Sequence, residues 1–83
     1  IVGADPAGGE PNGDFSVAQV IDAATGEQYA SIAGRYDPDT FAGLLAALGR
    51  SFNRALLAVE RNNHGYAVLS ALKNVFNYEN IFI

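Results

Sequence analysis

Two apolar runs in this 83-residue chain each stop at a carboxylate. "IVGADPAGG" ends its run at Asp5, and "LLAVERNNHG" ends its run at Glu60. Where the two runs are parallel neighbours in a sheet, both acids arrive at the same carboxyl-terminal edge, the edge where ligands bind in such sheets. Two carboxylates held close together repel unless a proton or a cation lies between them. Hard oxygen donors of this kind select magnesium or manganese over zinc. Two such ions about 4 Å apart can stabilise the attacking and leaving oxygens of phosphodiester hydrolysis. Asp14, at the end of the loop after Asp5, is a candidate auxiliary ligand if that loop folds back; Glu10 in the same loop is a weaker one. Each of these residues also has a plainer reading. Asp5 reads equally as the acid of an Asp-Pro turn, and Asp14 as a turn cap after Asn12-Gly13. Glu60 reads alternatively as an acid favouring the N-terminus of the following helix.

The turn after Glu60 supplies the supporting candidates. Asn62 can bond its own turn, or hold Glu60 or a metal-bound water. His64 reads as a solvent-facing residue at a helix start, with phosphate contact or proton transfer as the alternative. Arg61 reads as a surface arginine that could touch a phosphate, and Gly65 as a position of close packing or backbone freedom. The chain has no cysteine and only one histidine, which excludes a disulfide framework, a thiolate site and a multi-histidine zinc centre. "DPAGGEPNGD" lacks the D-x-[DN]-x-[DN]-G spacing of a calcium loop.

These residues need elements to position them. Residues 1–4 read as a buried strand, and the Pro/Gly-rich stretch 5–14 as a loop. Residues 15–21 form a nearly continuous apolar strand expected to be central in its sheet, 22–27 a hairpin connection with Gly26 in the left-handed position, and 28–36 a third strand. Asp37-Pro38 is a helix start, with Asp as N-cap and Pro at the first helical position. Phe41, Leu44, Leu45, Leu48 and Phe52 then form one apolar stripe. Residues 55–60 lack polar alternation, which predicts a fourth strand buried on both faces. A second helix is expected from about His64 to Asn74 with Val68, Leu72 and Val75 inward, and "NIFI" begins a fifth strand. The order β-β-β-α-β-α-β combines an antiparallel meander with right-handed parallel crossovers. This α/β arrangement, a mixed sheet with helices packed on it, suits the ribonuclease H-like fold.

"IVGADPAGGEPNGDFSVAQVID", "TGEQYA" and "LLAVERNNHG", in that order, resemble the nuclease domain of bacteriophage terminase large subunits, the DNA-packaging motor proteins. The resemblance covers nearly the whole chain, and its strongest pieces are the Asp-ended first strand leading to "GDFS" and the "VERNNHG" turn. It implies a metal-dependent endonuclease that cuts concatemeric double-stranded DNA during genome packaging by a two-metal mechanism using Mg²⁺ or Mn²⁺. Asp5 and Glu60 match two of the family's three metal-binding acids, and Asn62 and Gly65 match its E-x-N-x-x-G pattern. The third acid is expected beyond Ile83, so the stretch alone is expected to cleave DNA poorly. The implied partners are double-stranded DNA, the terminase ATPase domain, the small terminase subunit and the portal, in the cytoplasm of a bacterial host carrying the phage or prophage.

Length and charge bound these expectations. Eighty-three residues allow one domain, and 49% apolar content supports a core. Residues 1–83 are therefore expected to be a partial ribonuclease H-like nuclease domain, incomplete at its C-terminus. They contain no G-x-x-x-x-G-K-[ST] phosphate loop, so no ATPase domain is read here. The net charge of −4 opposes direct phosphate binding, so basic character at a DNA site would have to come from metal ions or from protein outside these residues. The apolar runs are too short to span a bilayer. A sheet cut after strand five would expose an edge or an apolar face, and self-association is expected. Two other readings fit the same residues: another ribonuclease H-like nuclease of the resolvase or transposase type, or a non-catalytic interaction module.

Overall fold

The computed structural model describes residues 1–9 and 13–82. Glu10 and Asn12 lie outside the described residues. The elements are β1 (Val2–Asp5), β2 (Ser16–Ile21), β3 (Gln28–Gly34), α1 (Pro38–Ser51), β4 (Leu57–Val59) and α2 (Asn63–Asn74). The four strands form one mixed sheet in the order β3-β2-β1-β4. β1 runs antiparallel to β2 and parallel to β4, and β2 runs antiparallel to β3. The expected meander and parallel crossover are both present, and β2 is central.

Strand alternation decides which residues meet the helices. Val2, Ala4, Ala18, Val20 and Leu57 point to one face and join Phe41, Ala42, Leu45 and Ala46 of α1 and Val68, Ala71 and Leu72 of α2 in a single core. The two helices pack on each other over this face. The opposite face carries Gly3, Val17, Gln19 and Ala58, which line a shallow depression of about 630 Å³ together with Asp5 and Glu60. β4 is therefore not buried on both faces: Leu57 is fully buried, whereas Ala58 and Val59 are half-buried. Its unbroken apolar run reflects small residues on a thinly covered face.

Helix ends follow the expected chemistry. The Asp37 side chain accepts from the Thr40 N–H at the start of α1, and Pro38 occupies the first turn. The Thr40 hydroxyl, followed by the Thr40 amide, holds the Asp37 carboxyl below its ordinary value. Gly26 has φ +76° in the β2–β3 connection, as that tight turn requires.

The buried face of α1 departs from the leucine stripe. Phe41, Ala42, Leu45, Ala46 and Gly49 are buried, while Leu44 and Phe52 are exposed. Small residues let α1 approach its neighbours closely, so the face turns toward Ala42, Ala46 and Gly49. Val75 is likewise exposed rather than inward. It caps the end of α2, and the chain turns there to bury Tyr78 instead. β3 stops at Gly34 because Tyr36 folds back over that glycine and stacks on Phe41 at 6.1 Å between ring centroids. The expected fifth strand is reduced to one parallel bridge, Ile81 to Leu57, beside β4.

Candidate functional site

Asp5 is the last residue of β1, and Glu60 follows β4 directly. Parallel pairing sets Ala4 opposite Val59, and the Glu60 N–H donates to the Ala4 carbonyl at 2.9 Å, extending the ladder by one step. Because successive strand residues point to opposite faces, the step from helix-facing Ala4 and Val59 to Asp5 and Glu60 sends both acids to the open face. Both are exposed, and their carboxyl groups lie within hydrogen-bonding reach of each other. The hydrogen bond to Asp5, then the Asp5 charge and some desolvation, push the Glu60 carboxyl above its ordinary value. The pair thus favours binding one proton, or a cation in its place.

The turn after β4 fixes this edge. Asn62 is the N-cap of α2, and its Oδ1 accepts from the N–H groups of His64 at 3.1 Å and Gly65 at 2.8 Å. Its Nδ2 donates to Asp5 Oδ1 at 3.2 Å and to the Pro6 carbonyl at 3.0 Å. Asn62 thus bonds its own turn as expected, but the acid it reaches is Asp5 rather than Glu60. Gly65 answers a packing need: a Cβ there would lie 1.9 Å from the Glu60 carbonyl oxygen. Arg61 is exposed on the turn between them.

Asp14 and His64 line a second cleft of about 430 Å³, which shares Asp5 with the first. Asp14 borders this cleft together with Asp5, and Glu60 does not. Among the described residues, no three His, Asp or Glu side chains gather closely enough to hold one metal ion. Two exposed carboxylates nevertheless suit a hard divalent cation in donor type and charge, and Asp5 and Glu60 are the residues that would hold it.

Two contributors escaped the sequence reading. Ser16 is fully buried, and its Oγ accepts from the Ala7 N–H at 2.8 Å, fastening the loop two residues beyond Asp5. A small polar residue opening a nearly continuous apolar strand is the available signal. Arg35 donates from Nε to the Gly13 carbonyl at 3.0 Å, and its guanidinium lies 4.5 Å from the centre of the Phe15 ring, holding the far end of the same loop.

Compared with protein-family models, curated proteins and solved structures, the chain matches none. No helix among the described residues is long and apolar enough to cross a membrane.

Proposed function

We propose that this chain is part of a metal-dependent endonuclease of the ribonuclease H-like type, and that the enzyme is the nuclease of a phage DNA-packaging terminase acting on concatemeric double-stranded DNA in the bacterial cytoplasm. The observation that carries the reading is the meeting of Asp5 and Glu60 at the carboxyl ends of two adjacent parallel strands. The strand order, with residue 81 beginning a further position beside β4, supports the fold assignment. The ordered pieces around Asp5 and "VERNNHG" support the terminase assignment.

β1 and β4 serve as stiff mounts, because the ladder leaves their last residues little freedom. Asp5 and Glu60 supply charged oxygens to one point, and Asn62 restrains Asp5. Bound Mg²⁺ or Mn²⁺ would contribute the positive charge that stabilises the attacking and leaving oxygens of a phosphodiester. It would also offset the acidic edge that otherwise repels DNA. A third acidic ligand and the ATPase, small-subunit and portal partners belong to the rest of such an enzyme.

The test is a Mn²⁺ titration of isotope-labelled protein followed by NMR. Selective broadening of the Asp5 and Glu60 side-chain signals is expected. Asp5→Asn and Glu60→Gln should each weaken the effect by roughly tenfold or more, since even outer partners of metal ligands cost that much. Uniform or absent broadening would overturn the reading.

A second reading is favoured by one observation, the net charge of −4, which opposes contact with DNA phosphates. In it the domain is a non-catalytic interaction module, and the acid pair binds a proton rather than metal.

A further inference from the structure

Asn62 uses its whole amide. A neutral carboxamide has two N–H donors and an oxygen with two lone pairs, and here all four positions have partners: Asp5 Oδ1, the Pro6 carbonyl, and the His64 and Gly65 amides. The first two partners lie 57 and 56 residues away in sequence, and the last two are the first-turn N–H groups of α2. One side chain therefore joins the end of β1, the start of the glycine-rich loop and the N-terminus of α2. Capping alone needs only the oxygen, and serine, threonine or aspartate caps a helix as well. Only an amide can cap with its oxygen while donating two hydrogen bonds back to the strand end. The geometry also selects a direction: the donor side faces Asp5, an acid that would otherwise turn freely on an exposed edge.

We infer that Asn62 is a positioning residue, which locks the Asp5 carboxylate in one orientation beside Glu60 and ties that orientation to the docking of α2. The lock acts on the free protein and needs no metal. Its consequence for metal affinity rests on the nuclease reading given above.

Asn62→Ser separates the two roles, because serine keeps the cap and loses both donors. Three-bond couplings to the Asp5 Cγ report its χ1 rotamer. In the wild-type chain they should show one rotamer, and in Asn62→Ser an average over several, with α2 unchanged by circular dichroism. A single Asp5 rotamer in Asn62→Ser with α2 intact overturns the inference. Asp5→Ala reads the same bond without touching the cap, and so decides the matter if Asn62→Ser fails to fold. The Asn62 side-chain amide signals should shift and exchange faster with solvent in Asp5→Ala, and unchanged signals overturn the inference. On the metal arm, Asn62→Ser should weaken Mn²⁺ binding by roughly tenfold, the usual effect of freeing a ligand from its supporting partner. Mn²⁺ bound equally well by both proteins would overturn the positioning role. The rotamer readout still decides that role if the wild-type chain binds no Mn²⁺, the result that would sink the nuclease reading instead.

Discussion

At its first turn, helix α2 runs against the end of β4; just past its last turn, residues 76–82 fold back against α1 and β4. Both junctions use a glycine to let two parts approach. Gly65 leaves room for the Glu60 carbonyl, and Gly49 leaves room for the Tyr78 ring. Their chemistry is otherwise opposed. At its junction Tyr78 is buried and the polar groups around it are paired: the Tyr78 hydroxyl donates to the Ala55 carbonyl at 2.6 Å, Arg50 to the Phe76 carbonyl at 2.7 Å, and Asn80 to the Arg54 carbonyl at 3.0 Å. The Glu60 junction ends in two exposed carboxylates set against each other. One junction removes every conflict it can, whereas the other retains a conflict that a proton or cation would resolve. Retained conflict of this sort is typical of sites rather than of scaffolding.

Adding one methyl group at each glycine gives the largest contrast. In Gly65→Ala the new Cβ would meet backbone 1.9 Å away, so α2 must shift or detach. We expect a loss of about 3 kcal/mol or more, at or above the usual range for overpacking, together with loss of the Asp5–Glu60 geometry. In Gly49→Ala the Cβ would meet the Tyr78 hydroxyl and ring rather than backbone, so the ring must shift in its buried site, and a loss of about 1–3 kcal/mol is expected with the acid pair unchanged. Denaturant melts with NMR of the two carboxyl groups check both. Equal damage to the acid pair by the two substitutions would remove the distinction between the junctions.

The distinction was only partly legible in the sequence. Asp5 and Glu60 stood out because a charge that ends an apolar run has few local explanations, and their meeting followed from strand order and period-two alternation. Asp37-Pro38 marked the start of α1 because capping is a local matter. The hydrogen bond from Asn62 to Asp5 spans most of the chain, and no local pattern encodes it. Ser16 looked like an ordinary strand residue until the loop above it supplied an N–H. The stripe of large apolar residues does not mark the inward face of α1, because close packing places Ala42, Ala46 and Gly49 inward and leaves Leu44 and Phe52 at the surface. No local pattern marks Tyr78 for a related reason: its burial depends on Gly49, 29 positions earlier.

A smaller effect is expected at the paired junction. Tyr78→Phe keeps the ring and its packing but leaves the Ala55 carbonyl without its donor. The loss should be about 1 kcal/mol, the usual net worth of one such bond, visible in the denaturation midpoint and without effect on Mn²⁺ binding. A loss as large as that of Gly49→Ala would mean that the hydroxyl, rather than ring packing, holds the segment in place.

The smallest effect separates the junctions by sign. Removing a partner at Tyr78 should destabilise, whereas removing a charge at Glu60 should stabilise the metal-free chain near neutral pH. Glu60 is held above its ordinary value by Asp5, so the folded chain binds this proton more tightly than the unfolded one does. The resulting stabilisation is fully present below the unfolded carboxyl value and is lost as pH rises through the higher folded one. Above that point the two like charges face each other. Glu60→Gln should therefore match the wild-type chain in acid and exceed it slightly at neutral pH, with the gap narrowing as salt is added because both groups are exposed. Thermal melts of the two proteins across that range, with chelator present, measure the gap. A variant less stable than wild type at neutral pH would show that Glu60 contributes to the fold as Tyr78 does, and the contrast between the two junctions would collapse.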